Sequence, residues 1–426
     1  MKGIKQTIMS FRKRGGIHIF VSTIFLKLIQ FILGILIIRI LTKDSYGNLS
    51  FAFSITQLII PFSGAGLYLS LLHFGPIQKT YEDKIKLFTH TMQRGFAASL
   101  ILTVAMILLA GLFANRMPGA VIYLRLFSFY IISYYMFYSL ISLLRIKKRN
   151  KAYAGALFGN SLLVFGLSLA GIFLGGGKGY TIGFVSAPAL TALVILFTLK
   201  YRDKESFQLF RVPGSIPVKR MDYARYGIFA GLGNIASQMA WQLDTIMIGI
   251  LLAASTEVAV YKAASLIPFS LVFIPSVFMQ TDFVYIAERH KEKKYLIGYY
   301  RKYLGVFSLI TLVILSVWYI AGGEIVRIFG PEYTEARPII NILMINVLTT
   351  FLLRVPLGNI LAAVGKAKWN SWSAGILLIV NLLLNYLLIP RFGIYGAAYA
   401  TVSSIGLSSV VSLVMFAVYL KKIERG

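Results

Sequence analysis

Lysine occurs in this sequence where a membrane-spanning helix would be expected to carry only apolar side chains. Lys27 lies near the centre of the apolar run 16–41. At ~1.5 Å of rise per residue, this run spans a hydrocarbon core of ~30 Å. A lysine at mid-bilayer costs roughly 2.5–3.5 kcal/mol, so it normally faces protein or water. We therefore expect Lys27 to line a positively charged, water-accessible cavity and to contact an anionic group. The alternative is a partner within its own helical bundle.

Carboxamide side chains form a second polar feature. Asn234, Gln238 and Gln242 follow one another at intervals of four residues, which places them on one face of a helix. Carboxamides are costly in lipid, and they donate and accept hydrogen bonds as sugar hydroxyl groups require. Gln57 lies in a similar row of polar and small residues, in which Pro61 predicts a bend. We expect these four carboxamides to line the same cavity. Hydrogen bonding and packing between helices are the alternative.

Three further ionisable residues interrupt apolar runs. Asp244 and Lys262 lie at similar depths in successive runs, so they either form a structural ion pair or face the cavity. Asp244 is also the candidate for coupling to Na⁺ or H⁺. Arg354 lies nearer the end of its run, where snorkelling to the interface competes with a role in the cavity. Basic groups outnumber acidic ones in the runs, which favours an anionic substrate, and no cofactor or metal site is expected.

Membrane-spanning helices must position these residues. Of the 426 residues, 58% are hydrophobic and 14% are charged, and the mean hydropathy is +0.75. A soluble protein of this length needs more polar surface. The apolar runs predict an all-α polytopic membrane protein with about twelve transmembrane helices. The predicted spans are 16–41, 49–74, 87–113, 120–143, 152–175, 180–200, 224–252, 257–283, 300–320, 338–364, 371–390 and 394–420.

The net charge of +28 comes mainly from short basic segments between the spans. This distribution differs from the continuous basic surface of a nucleic-acid-binding protein, so no nucleic acid partner is expected. Most basic segments lie on the same side as the N-terminus, which predicts a cell (inner or cytoplasmic) membrane protein with cytoplasmic N- and C-termini. The first apolar run is too long for a signal peptide and is expected to be retained. The sequence has no cysteine, which excludes disulfides and cysteine nucleophiles.

The longest polar connection, 201–221, divides the sequence into halves of about six spans. We predict an N-terminal lobe at 1–205, a cytoplasmic linker at 206–222 and a C-terminal lobe at 223–426. An even number of spans in each half predicts parallel repeats. Their pseudo-two-fold axis would run along the membrane normal, with a binding site between the lobes near the midplane.

Several short motifs follow one another along the sequence. They are Arg39-Ile-Leu-Thr-Lys-Asp-Ser-Tyr-Gly47 with Gly64-Ala-Gly-Leu67, Gln242-Leu-Asp-Thr-Ile-Met-Ile-Gly249 with Tyr261-Lys-Ala-Ala264, Ile328-Phe-Gly-Pro-Glu-Tyr333, Asn359-Ile-Leu-Ala-Ala-Val-Gly-Lys366 and Pro390-Arg-Phe-Gly-Ile-Tyr-Gly-Ala-Ala398. With these motifs in this order, the sequence resembles over its whole length the polysaccharide-type flippases of the MOP superfamily, which are relatives of the MATE transporters. The resemblance implies a Wzx-like flippase that moves an undecaprenyl-diphosphate-linked O-antigen or exopolysaccharide unit to the outer leaflet by alternating access, without being an enzyme.

The resemblance also implies membrane lipids and polysaccharide polymerase or assembly proteins as partners. Two alternatives stay open. A MATE-like cation or drug antiporter has the same fold, although its cavity should be rich in acidic groups. A membrane glycan polymerase or ligase needs a large outer loop with catalytic side chains, whereas the largest outer loop predicted here, 321–337, is short and has no histidine.

Overall fold

The computed structural model describes residues 16–202, 204 and 215–424, and every regular element in this part of the chain is helical. The α-helices are α1 (Gly16–Ile40), α2 (Lys43–Ile59), α3 (Leu67–Phe74), α4 (Tyr81–Leu109), α5 (Ala120–Ile146), α6 (Asn150–Phe197), α7 (Arg220–Leu252), α8 (Ser255–Leu271), α9 (Phe273–Glu288), α10 (Lys293–Arg327), α11 (Ala336–Thr349), α12 (Val355–Ala363) and α13 (Ala367–Glu424). Shorter 3₁₀ or π segments are Ile60–Gly66, Ala110–Phe113, Thr198–Arg202, Pro331–Tyr333 and Thr350–Arg354.

The helices confirm a multi-pass membrane protein. Within the described residues, nine helical segments are long and apolar enough to cross a membrane. Each of the twelve predicted spans lies on helix, because α6 and α13 each contain two spans joined at a kink. The basic N-terminal residues before Gly16 and most of the predicted linker, 206–222, lie outside the described residues.

The two long helices α6 and α13 fold back on themselves through the same turn. Gly176 has φ +56° and ψ −137°, and Gly393 has φ +58° and ψ −140°, a conformation open only to glycine. The sequence predicts longer turns, at 175–179 and 390–393. The structure corrects this, because only Gly175 and Gly176 in α6 and Gly393 in α13 have non-helical φ and ψ, and helix continues on either side of them. A Cβ on Gly179 would lie 2.0 Å from the carbonyl oxygen of Gly171, so the two arms touch through their backbones.

Contacts divide the chain into two compact units. The first contains Met1–Leu41 and Phe51–Gln238, and the second contains Thr42–Ser50 and Met239–Gly426. Helices α2 and α7 therefore each contribute residues to both units.

In the first unit, the start of α7 packs on α3 and α4. The hydroxyl groups of Tyr223 and Thr91 lie 2.7 Å apart, and Ser70 Oγ donates to the carbonyl oxygen of Tyr223 at 2.7 Å. A Cβ on Gly66 would lie 2.1 Å from the carbonyl oxygen of Gly227, so these two backbones are in contact. Close packing between glycines is typical of helices in membranes.

The chain bends between α2 and α3, as Pro61 predicts. The segment Ile60–Gly66 is 3₁₀, and Gly64, Ala65 and Gly66 all have positive φ. A Cβ on Gly64 would overlap the ring of Tyr135, so this position accepts only glycine.

In the second unit, residues 42–50 form the first turns of α2. The sequence predicts a turn from Thr42 to Gly47, which is wrong because helix already begins at Lys43. Thr42 Oγ1 accepts a hydrogen bond from the Ser45 N–H at 3.3 Å and so caps the new helix.

Candidate functional site

Asp244 lies at the centre of a buried polar cluster in the second unit, with 6% of its surface exposed. Its Oδ2 accepts hydrogen bonds from the hydroxyl groups of Tyr261, at 2.6 Å, and Thr401. Its Oδ1 accepts from the amides of Asn385, at 2.7 Å, and Asn381, at 3.2 Å. A buried carboxylate must replace its lost hydration with such charge-assisted hydrogen bonds. Four neutral donors therefore hold one acidic group among the helices.

The four donors come from segments that are far apart in the sequence. Asn381 and Asn385 share one face of α13 before the Gly393 turn, Thr401 follows that turn, and Tyr261 is on α8. Sequence reasoning missed all four as partners of Asp244. The signal available was the interval of four between two asparagines in an apolar run, which places them on one helical face.

One oxygen in this cluster has no hydrogen bond. Asn385 is fully buried, and its Oδ1 has no hydrogen-bond partner among the described residues. The cluster thus presents a carboxylate and amide and hydroxyl oxygens, the ligand type that hard cations prefer. No group of three or more His, Cys, Asp or Glu residues in the described chain forms a transition-metal site. Chemically, the cluster suits a small monovalent cation or a proton.

Lys262 and Asp244 form no ion pair, so the structure does not support the first of the two alternatives left open for them. Its Nζ donates instead to Oε1 of Gln242 at 2.9 Å. Lys262 follows Tyr261 on α8, and successive helical residues point about 100° apart. Tyr261 therefore takes the position facing the carboxylate, and Lys262 and Gln242 form a separate polar pair.

Lys27 is exposed on α1, and no hydrogen bond or ion pair joins it to another described side chain. The large apolar side chains beside it, Phe25 and Leu28, are 44% and 47% exposed. This part of α1 therefore has a surface that the rest of the first unit does not cover. The contact of Lys27 with a substrate stays a prediction.

The four predicted carboxamides are divided between the two units. Asn234 is exposed and Gln238 is half-buried, and both belong to the first unit, whereas the half-buried Gln242 belongs to the second. Gln57 is half-buried in the first unit. Only Gln242 has a described side-chain partner here, Lys262. The predicted role of the four carboxamides in a cavity stays a prediction.

Arg354 ends a π segment, Thr350–Arg354, which lies just before Pro356. Its Nη1 donates to Oδ1 of Asn370 at 3.0 Å, and the side chain is half-buried. This interaction ties Arg354 to the start of α13, and snorkelling does not describe it. Its predicted contact with substrate is not tested by this geometry.

Tyrosine hydroxyl groups donate hydrogen bonds to backbone carbonyl groups in the π segment that lack a helical donor. Proline has no N–H, so carbonyl groups one turn earlier lose their helical donor. Tyr300 donates to the carbonyl oxygen of Leu352 at 2.9 Å, and Tyr303 donates to that of Phe351 at 3.0 Å. The two tyrosines therefore satisfy two backbone carbonyl groups of the irregular segment before Pro356.

Comparison with known proteins gives the family and the fold. Residues 13–281 match the model of a family described as polysaccharide biosynthesis protein. The chain is 25% identical to the "Probable flippase AglR" of Haloferax volcanii over 206 residues, which are 47% of this chain and 42% of that protein. The chain thus aligns with less than half the length of this relative.

Two solved structures share the fold over nearly the whole chain. "Lipid II flippase MurJ, inward closed conformation" has a TM-score of 0.76 and 15% identity, covering 96% of this chain and 90% of that one. An inward-facing multidrug resistance MATE family transporter of the MOP superfamily has a TM-score of 0.75 and 14% identity, covering 94% and 96%. These similarities confirm the predicted MATE/MOP-like fold.

Proposed function

Since this chain belongs to the polysaccharide biosynthesis protein family, we propose that it is a flippase for a polyprenyl-diphosphate-linked oligosaccharide. The transporter moves this lipid from the cytoplasmic to the outer leaflet of the cell membrane by alternating access, with both termini in the cytoplasm. The observation that carries the proposal is the family match over residues 13–281. The MurJ-like fold supports it, because that fold accommodates a flippase.

The substrate poses a physical problem that the proposed site residues address. Its head carries a diphosphate and a glycan, and an unpaired ion in hydrocarbon costs at least several kcal/mol. A wet cavity lowers this barrier if it supplies cations for phosphate and hydrogen-bonding groups for sugar. In our proposal Lys27 binds the diphosphate, and carboxamides bind the glycan. The proposed cavity residues are Lys27, Gln57, Asn234, Gln238, Gln242, Lys262 and Arg354.

Lys27 is the main candidate because its charge has no described acidic partner to neutralise it. A diphosphate that moves outward gains ~2.3 kcal/mol per charge for each 100 mV of inside-negative potential. Neutralised by Lys27 and a second cation, the loaded carrier moves nearly without net charge. The empty, positive carrier is then drawn back towards the cytoplasmic side.

Asp244 is proposed to couple the cycle to Na⁺ or H⁺. The support is the carboxylate with its surrounding oxygens, together with the unpartnered Oδ1 of Asn385. A cation that binds here changes the charge at the meeting point of α7, α8 and both arms of α13. Binding thereby favours the arrangement of these helices that holds the cation best.

The test is export of lipid-linked oligosaccharide in cells that depend on this protein for it. Lys27→Ala should abolish export while the protein still reaches the membrane in normal amount, and Lys27→Arg should retain it. Lys178→Ala is the matched control, because Lys178 is an exposed lysine in the α6 hairpin. Full export by Lys27→Ala would remove Lys27 from the mechanism.

The same cells distinguish the alternative functions. A cation or drug antiporter would export ethidium in a manner dependent on Asp244 and leave the glycan lipid inside. A polymerase or ligase would lengthen or transfer the glycan when the purified protein and lipid-linked oligosaccharide are mixed. Our proposal predicts neither result. It leaves polymerisation to a separate partner protein.

A further inference from the structure

A groove of about 600 Å³ lies between α10 and α11 in the second unit. Trp318 and Tyr319 line it from α10, and Ile345 and Leu348 line it from α11. Arg337, near the start of α11, also lines it. The groove therefore combines an apolar wall with a single cationic side chain.

The apolar part of the groove is open to lipid. Trp318 is only 8% exposed and forms its floor, and its Nε1 donates to Oδ1 of Asn341 at 2.8 Å, which joins the two helices. Tyr319 is 86% exposed, and Ile345 and Leu348 are 49% and 41% exposed. In a membrane such a surface is covered by hydrocarbon chains.

The groove is about as long as one membrane leaflet is thick. Leu348 lies eleven residues after Arg337 on the same continuous helical face, which is ~16 Å along the axis at ~1.5 Å per residue. Half of a hydrocarbon core of ~30 Å is about 15 Å. The length suits one acyl chain of a glycerophospholipid, whereas a polyprenyl chain is much longer than one leaflet is thick.

Arg337 is placed to receive a phosphate group. Its guanidinium reaches α10, since a Cβ on Gly323 would lie 3.3 Å from Nη1. No hydrogen bond or ion pair connects the guanidinium of Arg337 to another residue that the structure describes. The nearby acidic group, Glu324, is already paired with Arg327 at 2.6 Å. A planar guanidinium binds phosphate through two parallel hydrogen bonds.

We propose that this groove binds one anionic glycerophospholipid, with its phosphate on Arg337 and one acyl chain along Ile345 and Leu348. The lipid occupies the leaflet that faces residues 328–335, which is the outer leaflet in the proposed topology. The site requires only that the chain spans a membrane. It does not depend on the proposed flippase activity.

The test uses the full-length protein in detergent, with palmitoyl-oleoyl phosphatidylglycerol as the probe and native mass spectrometry to count bound lipid. Arg337→Gln should weaken binding about tenfold, which corresponds to ~1.4 kcal/mol. Ile345→Trp fills the groove without changing charge and should weaken binding to a similar extent. Arg327→Gln is the matched control, because this exposed arginine near the same membrane surface is already paired, and it should bind as the wild type does.

Two competitors identify the occupant. Diacylglycerol, which has the chains without the phosphate, should displace the phospholipid poorly. Polyprenyl phosphate should also displace it poorly. Wild-type binding by Arg337→Gln, or an equal loss in Arg327→Gln, would overturn the assignment. Displacement by polyprenyl phosphate at equal concentration would overturn it in favour of the transported lipid.

Discussion

Gly47 of α2 lies against the backbone of Ser255 at the start of α8. A Cβ on Gly47 would lie 1.8 Å from the carbonyl oxygen of Ser255. The Ser255 hydroxyl group also donates to Asp44, and Lys43 forms an ion pair with Glu335. A backbone contact, a hydrogen bond and an ion pair thus attach residues 42–50 to the second unit.

Gly47→Ala should destabilise the protein by about 1–3 kcal/mol, because the added methyl group must displace backbone that cannot rotate away. The measurement is thermal unfolding of the purified protein in detergent. Gly159→Ala is the control: Gly159 is helical with open space around it, so alanine there should be neutral or slightly stabilising. Equal melting temperatures for the two variants would contradict the close contact.

Asp244→Asn should remove a stabilising effect of Na⁺. If the cluster binds Na⁺, the wild-type protein melts at a higher temperature in sodium chloride than in choline chloride of equal ionic strength. The amide at position 244 lacks the charge and offers an N–H₂ group to donors that need an acceptor. The variant should therefore melt at the same temperature in both salts.

Asp282→Asn is the control for loss of one carboxylate elsewhere. Asp282 accepts a hydrogen bond from Tyr299 at 2.9 Å, away from the cluster, and its variant should keep the response to Na⁺. If the wild-type protein is equally stable in both salts, Asp244 does not bind Na⁺. It then either couples the cycle to H⁺ or has no coupling role. Export measured across a pH gradient then decides between those two results.

Tyr300→Phe should cost about 1 kcal/mol, because the carbonyl oxygen of Leu352 loses its donor. In a Pro356→Ala background, the new N–H can bond to that part of the backbone. The same tyrosine change should then cost less. Thermal unfolding of the four proteins in this double-mutant cycle measures the coupling. Tyr319→Phe, at an 86% exposed tyrosine, should have no effect, and additive costs would refute the link between Tyr300 and Pro356.

Gly393→Ala should destabilise the α13 hairpin by about 1–3 kcal/mol, since alanine at φ +58° and ψ −140° is strained even though nothing lies within 4 Å of the added Cβ. Gly375→Ala has equally open surroundings in the same helix without the unusual φ, and it should not destabilise. Melting temperatures compare the two directly. A similar loss in both would show that the turn conformation is not the cause.

Much of the fold follows from hydropathy. All twelve predicted spans lie on helix in the structure, because a bilayer requires every backbone group of a spanning segment to be bonded within it. The ends of the helices were harder to predict. Thr42 and Gly393 show why. At Thr42 a capping hydroxyl group lets the next helix begin at once, and at Gly393 a single glycine with positive φ makes the turn, although the composition of both segments suggests a longer turn.

The candidate site was predicted less well than the fold. Asp244 could be singled out, because one acid in an apolar run is conspicuous. Its donors could not, since Asn381 and Thr401 meet it only when α13 folds back at Gly393. The choice between an ion pair with Asp244 and another position for Lys262 stayed open for the same reason. Depth in the membrane can be counted along a sequence, whereas the direction in which a side chain points around the bundle cannot.

The similar glycine turns at Gly176 and Gly393 join their helices directly, without a loop between them. Because the backbones of the two arms are in contact beside each turn, we expect the arms of a hairpin to tilt together. For the proposed transport cycle, we therefore expect bending where the backbone is irregular, as at Ile60–Gly66 in one unit and Thr350–Arg354 in the other. In each half of the protein, the hairpin is then the stiff part and the irregular segment is the part that bends.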